Sequence, residues 1–236
     1  MTLNIDKRAI RAFMAAFPLT LPVMAGFLFL GIAYGVLMHS MGLGAFWTFL
    51  TSFLVFAGSM QYVALTLFAA SFNPIYALAV TLMVNARHIF YGLSMLERIK
   101  DAGCFKPYVV FALCDETFSI LCSADIPDEV DRGFFMFFVA FLNRWYWIIG
   151  SVSGVLIGNL ITFSTQGLDF TLTAMFIVIF LNQWMKPQNR RSSLVGVGCS
   201  LLCLVLFGSD RFIIPAMVMI LGVFAFFHKK FVRKTE

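Results

Sequence analysis

The sequence predicts an all-α protein, a polytopic bundle of transmembrane helices, and two observations support that prediction. Hydrophobic residues make up 61% of the 236 residues and charged residues only 12%, which is about half the charged share of a typical soluble domain. The apolar residues also occur in long runs, and a run of about 20 is enough to span a membrane. We therefore expect a single transmembrane domain over residues 1–236, with no separate soluble domain.

About eight apolar segments are candidates for crossing the membrane. They cover residues 17–38, 44–70, 74–96, 107–124, 134–161, 168–185, 192–208 and 211–228. Two of them, 44–70 and 134–161, are too long for one straight crossing. Each contains a place where a helix can break, Gly58-Ser59 in the first, and Asn143-Arg144 followed by Gly150 and Gly154 in the second. The sequence leaves open whether these two segments are full spans, broken helices or re-entrant hairpins.

The distribution of Lys and Arg predicts that both termini are cytoplasmic, because basic residues concentrate in cytoplasmic loops. With eight crossings, eleven of them lie inside: Lys7, Arg8, Arg11, Arg132, Lys186, Arg190, Arg191, Lys229, Lys230, Arg233 and Lys234. Four lie outside: Arg98, Lys100, Lys106 and Arg211. The basic loop 97–106 violates the rule locally. A re-entrant segment 44–70 would move that loop inside.

Five ionisable residues lie deep within the apolar segments, namely Arg87, His88, Asp115, Glu116 and Arg144. An ionisable group costs at least about 2.5–3.5 kcal/mol in a membrane interior, so each requires a reason to be there. One hypothesis is structural pairing of the two acids with the two arginines, with Arg87 bound to Asp115 or Glu116. The other is that one acid is less compensated and carries a proton. His88 is either hydrogen-bonded structure or a second proton carrier.

The predicted break at Gly58-Ser59 suggests a substrate site. A half-helix that starts near Ser59 directs free N–H groups into the membrane midplane, where they can bind a carboxylate. The alternative is a simple kink without a ligand. The candidate substrate-binding residues are Gly58, Ser59, Gln61, Asn85, Arg87 and Tyr91; the candidates for ion pairing or proton coupling are His88, Asp115, Glu116 and Arg144.

Several functional classes have no signal in the sequence. There is no G-x-x-x-x-G-K-[ST] loop for ATP, and the three His residues are too scattered for a zinc site. Four of the five Cys residues lie in apolar segments, which argues against a disulfide framework. We therefore expect no enzyme, no catalytic residue, no metal and no cofactor. Pairs of small residues, Gly31/Gly35 and Gly150/Gly154, suit close helix packing within the chain or with a partner.

Four motifs give the chain a resemblance to a known family. They are Gly31-Ile-Ala-Tyr-Gly35, Phe56-Ala-Gly58-Ser59-Met60-Gln61, Asn85-Ala-Arg87-His88-Ile-Phe-Tyr91-Gly92-Leu93 and Cys114-Asp115-Glu116-Thr117-Phe118. Asn143-Arg144-Trp145-Tyr146-Trp147 and Leu168-Asp169-Phe170 also fit. In this order they resemble the AzlC family, the large subunits of two-component branched-chain amino-acid exporters, and in character the YgaZ-type valine exporters.

The resemblance implies a multi-pass permease of the bacterial inner membrane. It implies export of L-valine and similar amino acids, and a small partner subunit of the AzlD type. Drive by the proton-motive force is our own expectation. The alternative is a scaffold subunit that does not transport, whose buried charges are structural. The resemblance assigns no site residues, so the candidates above come from the physical argument alone.

Overall fold

The computed structural model describes residues 2–69, 73–160 and 190–208, together with isolated positions within 177–185 and 212–226. The described residues are almost entirely helical and contain no β-strand, which confirms the all-α class. The chain divides into two compact units, Met1–Leu168 and Asp169–Glu236. The predicted segments 168–185 and 211–228 lie mostly outside the described residues.

The helices largely follow the predicted segments. In the first unit they are α1 (Thr2–Ser40), α2 (Ala45–Leu54), α3 (Gly58–Ala69), α4 (Pro74–Met95), a 3-10 helix (Arg98–Phe105), α5 (Lys106–Phe111), α6 (Asp115–Ser123) and α7 (Arg132–Leu160); in the second, α8 (Arg190–Phe207). Among the described helices, α1, α7 and α8 are long and apolar enough to cross a membrane. Two of the eight candidate crossings, segments 44–70 and 107–124, turn back as hairpins, as described below.

Helices α1 and α7 pack against each other in parallel. Phe13 lies against Phe138, with ring centroids 5.4 Å apart, and Thr20 bonds Tyr146 at 3.2 Å. Further along, a Cβ added to Gly31 would lie 2.9 Å from the backbone nitrogen of Ser151. The small-residue faces therefore serve close packing within the chain, as one of the two predicted alternatives had it.

Of the alternatives left open for segment 134–161, the structure shows a continuous helix and not a broken one. Helix α7 runs without interruption from Arg132 to Leu160. Its glycines lie against α1: a Cβ on Gly150 would come within 3.0 Å of the Leu28 carbonyl oxygen. Because these glycines permit two backbones to approach closely, they stabilise a continuous helix here rather than break it.

Segment 44–70 breaks where the sequence predicts. Helix α2 ends at Leu54, α3 begins at Gly58, and Phe56 between them has a φ of 40°, a conformation unusual for a bulky residue. The Gln61 side chain bonds that of Ser52 at 3.2 Å. Nine residues of continuous helix would separate these positions by about 13 Å, so α2 and α3 fold back on each other as a hairpin.

Segment 107–124 also forms a hairpin, which the sequence did not predict. Helix α5 ends at Phe111 and α6 begins at Asp115. Arg98, before α5, donates to the carbonyl oxygens of Leu121 and Cys122 near the end of α6, at 2.8 and 2.9 Å. The α5–α6 hairpin thus begins and ends at the same end of the bundle.

The two hairpins come from opposite ends of the bundle. Helix α4 is antiparallel to α1, because Met95 at its end shares a core cluster with Ala12 and Ala16. Arg87 lies about 12 Å before Met95, and α4 begins about 20 Å on the other side of Arg87. The α2–α3 hairpin joins the end of α1 to the start of α4, whereas the α5–α6 hairpin lies at the start of α1.

This arrangement corrects the predicted side of one loop. With eight crossings, loop 97–106 and Arg132 lie on opposite sides, yet Arg132 pairs with Asp101 of that loop at 3.3 Å. The α2–α3 hairpin moves loop 97–106 to the side of Arg132, and segment 107–124, which turns back instead of crossing, keeps Arg132 there. Seven basic residues consequently lie at one end of the first unit: Lys7, Arg8, Arg11, Arg98, Lys100, Lys106 and Arg132. Between Arg11 and Arg98 the chain has no Lys or Arg except Arg87.

Candidate functional site

Arg87 connects the tips of the two hairpins. From α4, its Nη1 donates to a carboxylate oxygen of Asp115, the first residue of α6, and its Nη2 donates to the hydroxyl of Ser59, the second residue of α3. The Arg87 and Asp115 side chains are each 29% exposed. The predicted pairing of Arg87 with one of the two acids is confirmed, and Asp115 is the partner.

The helix N-termini at the two tips differ in charge. Helix α6 carries Asp115 and Glu116 in its first turn, and the Cys114 sulfur accepts from the Thr117 N–H at 3.5 Å. Helix α3 carries no acid in its first turn. Since the N-terminus of a helix is positive, the end of α6 is already neutralised, whereas that of α3 is not.

Several buried polar atoms near these tips have no hydrogen-bond partner among the described residues. They are Asn85 Oδ1, Arg87 Nε, Asp115 Oδ1 and Asn143 Oδ1. The amide of Asn143 is tied to the α5–α6 tip, because its nitrogen donates to Thr117 at 3.1 Å. Buried polar atoms are nearly always hydrogen-bonded in folded proteins, so this set has capacity for a polar ligand.

Gln61 does not fit its predicted role in substrate binding. Its amide nitrogen donates to Ser52 and its oxygen accepts from the Trp147 indole at 2.8 Å, and the residue is 2% exposed. Both ends of the amide are therefore occupied within the protein. Gln61 instead holds α2, α3 and α7 together. Gly58 lies beside it, with a built Cβ 3.0 Å from the Trp147 ring.

Arg144 pairs with neither acid, which corrects the predicted balance of two acids against two arginines. It donates to the backbone carbonyl of Phe53 in the last turn of α2. Its guanidinium also lies over the rings of Phe53 at 4.3 Å, Phe111 at 4.8 Å and Tyr108 at 5.5 Å. The negative end of α2 and these ring faces stabilise the cation in place of a carboxylate. Arg144 thus connects the first halves of both hairpins.

The remaining candidates are dispersed. His88 contacts the carbonyl of Asn85 on its own helix at 3.3 Å and the ring of Tyr91 at 5.9 Å. Tyr91 stacks on Phe118 at 4.7 Å, which is a packing role. Glu116 forms no ion pair with any residue of the described ranges.

Three residues of the site were not among the candidates: Asn143, Thr117 and Trp147. The available signal was their helical spacing. Asn143 and Trp147 are four residues apart and share a face of α7, and that face contacts both hairpins, through Thr117 and Gln61 respectively. Trp147 is buried, which fits its place between α7 and the α2–α3 hairpin.

Comparison with known proteins decides the family. The model of the family described as AzlC protein matches residues 22–161. The branched-chain amino acid transport protein AzlC of Bacillus subtilis is 53% identical over 218 residues, covering 92% of this chain and 86% of the relative. The chain belongs to the AzlC family. The family expected from the motifs is thereby confirmed.

Other relatives of this AzlC family protein are more distant. An uncharacterized membrane protein of Haemophilus influenzae is 42% identical, covering 86% of this chain and 84% of its own. The inner membrane protein YgaZ of Escherichia coli is 24% identical, covering 85% and 82%. No solved structure matches the chain. The family match includes both hairpins, α4 and α7, so the whole candidate site lies within it.

Proposed function

We propose that this AzlC family protein exports L-valine and similar branched-chain amino acids across the bacterial cytoplasmic membrane. It acts as a transporter and not as an enzyme, without a cofactor. The observation that carries the proposal is the bridge from Arg87 to Ser59 and Asp115. The name of the Bacillus subtilis relative, a branched-chain amino acid transport protein, supports the substrate class.

The charges at the tips match the two ends of an amino acid. The substrate carboxylate binds the guanidinium of Arg87 and the free N–H groups at the start of α3, near Gly58 and Ser59. The substrate ammonium binds Asp115, whose Oδ1 has no partner among the described residues. The zwitterion thereby gives each side chain a new partner of opposite charge, its carboxylate at Arg87 and its ammonium at Asp115. These two charge-assisted contacts offset the free-energy cost of removing the zwitterion from water.

Substrate binding is coupled to movement because Arg87 holds both hairpins at once. When the substrate occupies Arg87 and Asp115, their direct bond opens and the two tips separate. One hairpin then moves away from Arg87 while the other keeps its position. This movement opens the site to one end of the bundle. This is a conformational change driven by differential contacts with the two states.

In this proposal the proton-motive force drives export through Glu116, the acid that forms no ion pair with a described residue. Asp115 is the second candidate acid, because its pairing with Arg87 disfavours its protonation. A proton on Glu116 removes a negative charge beside the substrate ammonium, so protonation from outside favours release there. His88 is a third candidate. Arg144 is no longer a candidate for coupling, because its partners are a carbonyl and aromatic rings.

The orientation follows from the basic end of the first unit. Lys and Arg concentrate on the cytoplasmic side of membrane proteins. We therefore place the start of α1 and the α5–α6 hairpin at the cytoplasmic side, and the α2–α3 hairpin at the outer side. Loop 97–106, whose basic residues violate this rule in an arrangement of eight crossings, agrees with it here.

A small membrane subunit of the AzlD type is the proposed partner. It requires a surface other than Gly31/Gly35 and Gly150/Gly154, because these glycines pack against each other within the chain. We expect the two subunits to co-purify from the membrane. The scaffold alternative assigns the transport path to that partner and a structural role to the buried charges.

Efflux of labelled valine from vesicles tests the proposal. Vesicles contain the chain alone, the partner alone or both, with an imposed proton gradient. We expect efflux that needs this chain and that disappears in Arg87→Gln, while Lys100→Gln, a surface control, exports normally. Efflux by the partner alone, or full efflux with Arg87→Gln, contradicts the proposal and supports the scaffold alternative.

A further inference from the structure

A separate cavity lies at the base of the α5–α6 hairpin, away from the tip that holds Arg87. Its volume is about 380 Å³, within the range of small-molecule sites. Its lining comes from the end of α4, the 3-10 helix, the end of α6 with the residues that follow it, and the start of α7. The lining residues are Met95, Arg98, Asp101, Leu121, Ala124, Asp125, Ile126, Arg132 and Met136.

The lining combines buried apolar side chains with exposed charges. Met95, Leu121 and Met136 belong to the hydrophobic core, at 0, 4 and 4% exposure. Two guanidiniums and two carboxylates, from Arg98, Arg132, Asp101 and Asp125, complete the wall. The lining therefore has no net charge but provides partners for both a carboxylate and an ammonium, beside an apolar surface.

The charged groups are held in place unequally. Nη1 of Arg98 donates to the carbonyl oxygens of Leu121 and Cys122, which leaves its other N–H groups for a ligand. Arg132 is paired with Asp101. Asp125 forms no ion pair with a residue in the described part of the chain. One fixed guanidinium and one unpaired carboxylate are thus available in the same cavity.

We propose that this cavity is a loading site for zwitterionic amino acids with an apolar side chain, distinct from the Arg87 site. The carboxylate of the ligand binds Arg98, its ammonium binds Asp125, and its side chain lies against Met95, Leu121 and Met136. Its place on the export path rests on the proposed function: the cavity is at the basic end, about 13 Å of α6 away from Asp115. A site there captures substrate before it reaches the hairpin tips.

Protection from alkylation tests the binding site independently of transport. The full chain in lipid nanodiscs carries Ala124→Cys, and a small maleimide reports on that position by peptide mass. We expect leucine to slow alkylation at position 124, whereas 4-methylpentanoate, which lacks the ammonium, and 3-methylbutylamine, which lacks the carboxylate, do not. Asp125→Asn abolishes the protection, and Lys100→Gln leaves it unchanged.

The same protection in an Arg87→Gln background separates the two sites. We expect leucine to protect position 124 there as well, even if that chain exports nothing. Absence of protection in the otherwise native chain, equal protection by 4-methylpentanoate, or loss of protection with Arg87→Gln overturns the loading site. These outcomes leave the Arg87 site standing, because they do not concern efflux.

Efflux kinetics then test the place of the site on the path. Asp125→Asn is expected to raise the internal valine concentration for half-maximal efflux by about fivefold or more, with an unchanged maximal rate, as expected for a weakened initial capture. Arg98→Lys, which keeps the charge, has a smaller effect. An unchanged half-maximal concentration in Asp125→Asn contradicts a loading role.

Discussion

The α2–α3 and α5–α6 hairpins share a backbone plan but differ in the chemistry of their tips. Each consists of two short helices joined by a three-residue break, and each sends the start of its second helix toward Arg87. The α2–α3 tip presents a neutral helix N-terminus at Gly58 and Ser59. The α5–α6 tip presents a helix N-terminus that carries two acids.

This difference tells which end of a zwitterion belongs at which tip. Asp115 and Glu116 offset the positive end of α6, so a further anion gains little there. The N-terminus of α3 has no such acid and retains its positive character. The substrate carboxylate is therefore directed to the α2–α3 tip and the ammonium to the α5–α6 tip, with Arg87 between them.

The hairpins also differ in how they are fastened. Two buried hydrogen bonds of the Gln61 side chain, to Ser52 and to Trp147, join the two helices of the α2–α3 hairpin to each other and to α7. The α5–α6 tip has one buried side-chain hydrogen bond to α7, between Thr117 and Asn143, and the ion pair at its base, between Arg132 and Asp101, is exposed. Since exposed pairs contribute little stability, we expect the α5–α6 hairpin to move more readily.

The largest expected effect is from Arg87, which belongs to both tips. Arg87→Gln should reduce valine efflux below detection, because it removes the guanidinium that binds the substrate carboxylate, leaves Asp115 without its partner and separates both tips from α4. Arg87→Lys retains the charge but lacks the planar guanidinium that donates to two partners at once. It should therefore retain only part of the efflux rate. Efflux and the inserted amount are measured together.

A charge reversal sharpens the same point. Arg87→Glu and Asp115→Arg should each lower the yield of folded protein, and the double variant should recover part of it. Recovery identifies the ion pair as a direct contact. If the double variant instead loses the sum of the yields lost in the two single variants, a direct contact is contradicted, because the effects of independent sites add and those of interacting sites do not.

Gly58→Leu should also abolish efflux while the protein still inserts. A Cβ at this position lies 3.0 Å from the Trp147 ring, so a larger side chain displaces either the α3 start or the indole that bonds Gln61. Gly92 is the matched control, since nothing lies within 4 Å of its built Cβ. Comparable efflux by the Gly58→Leu and Gly92→Leu chains contradicts a role for the α2–α3 tip.

The two tips should respond differently to loss of one contact. Asp115→Asn removes the negative charge that binds both Arg87 and the substrate ammonium, about 1.5–3 kcal/mol. Ser59→Ala removes one acceptor of the Arg87 guanidinium but leaves every charge in place. We expect efflux to fall roughly tenfold to a hundredfold in the first and less in the second. The reverse order would show that the α2–α3 tip makes the stronger contact.

The smallest effect on transport should come from Arg144, which contacts the first halves of the hairpins and neither acid. Arg144→Gln should lower the thermal stability of the purified protein through loss of a carbonyl bond and ring contacts, about 1–3 kcal/mol together. The pH dependence of efflux should be unchanged. A shifted pH profile means that Arg144 does influence a titrating acid.

The sequence was informative where the local chemistry of the backbone decides the structure. Gly58 made the first break predictable, because glycine tolerates departure from the helix. The second break, at 112–114, was missed because residues 108–123 contain neither Gly nor Pro. Its signal was the adjacent pair Asp115-Glu116, which suits the first turn of a helix better than the middle of a span.

Tertiary contacts explain the other differences. Arg144 finds its partner 91 residues away in the chain, a backbone carbonyl that only the α2 break leaves free. Gly150 and Gly154 can break a helix or permit close packing, and only the position of α1 decides between the two. The side of loop 97–106 likewise depends on a hairpin that the sequence presents as an apolar span.

The central claim is that the two hairpins enter from opposite sides, and impermeant thiol labelling tests it most directly. In a Cys104→Ser background, single cysteines replace Met41 and Ile75, which flank the α2–α3 hairpin, and Lys100 and Asp128, which flank the α5–α6 hairpin; all four positions are exposed. We predict that positions 41 and 75 react in intact cells, and that 100 and 128 react only after permeabilisation. Each pair of positions flanks one hairpin. If position 41 reacted from one side of the membrane and position 75 from the other, or if positions 100 and 128 did so, this would contradict the account.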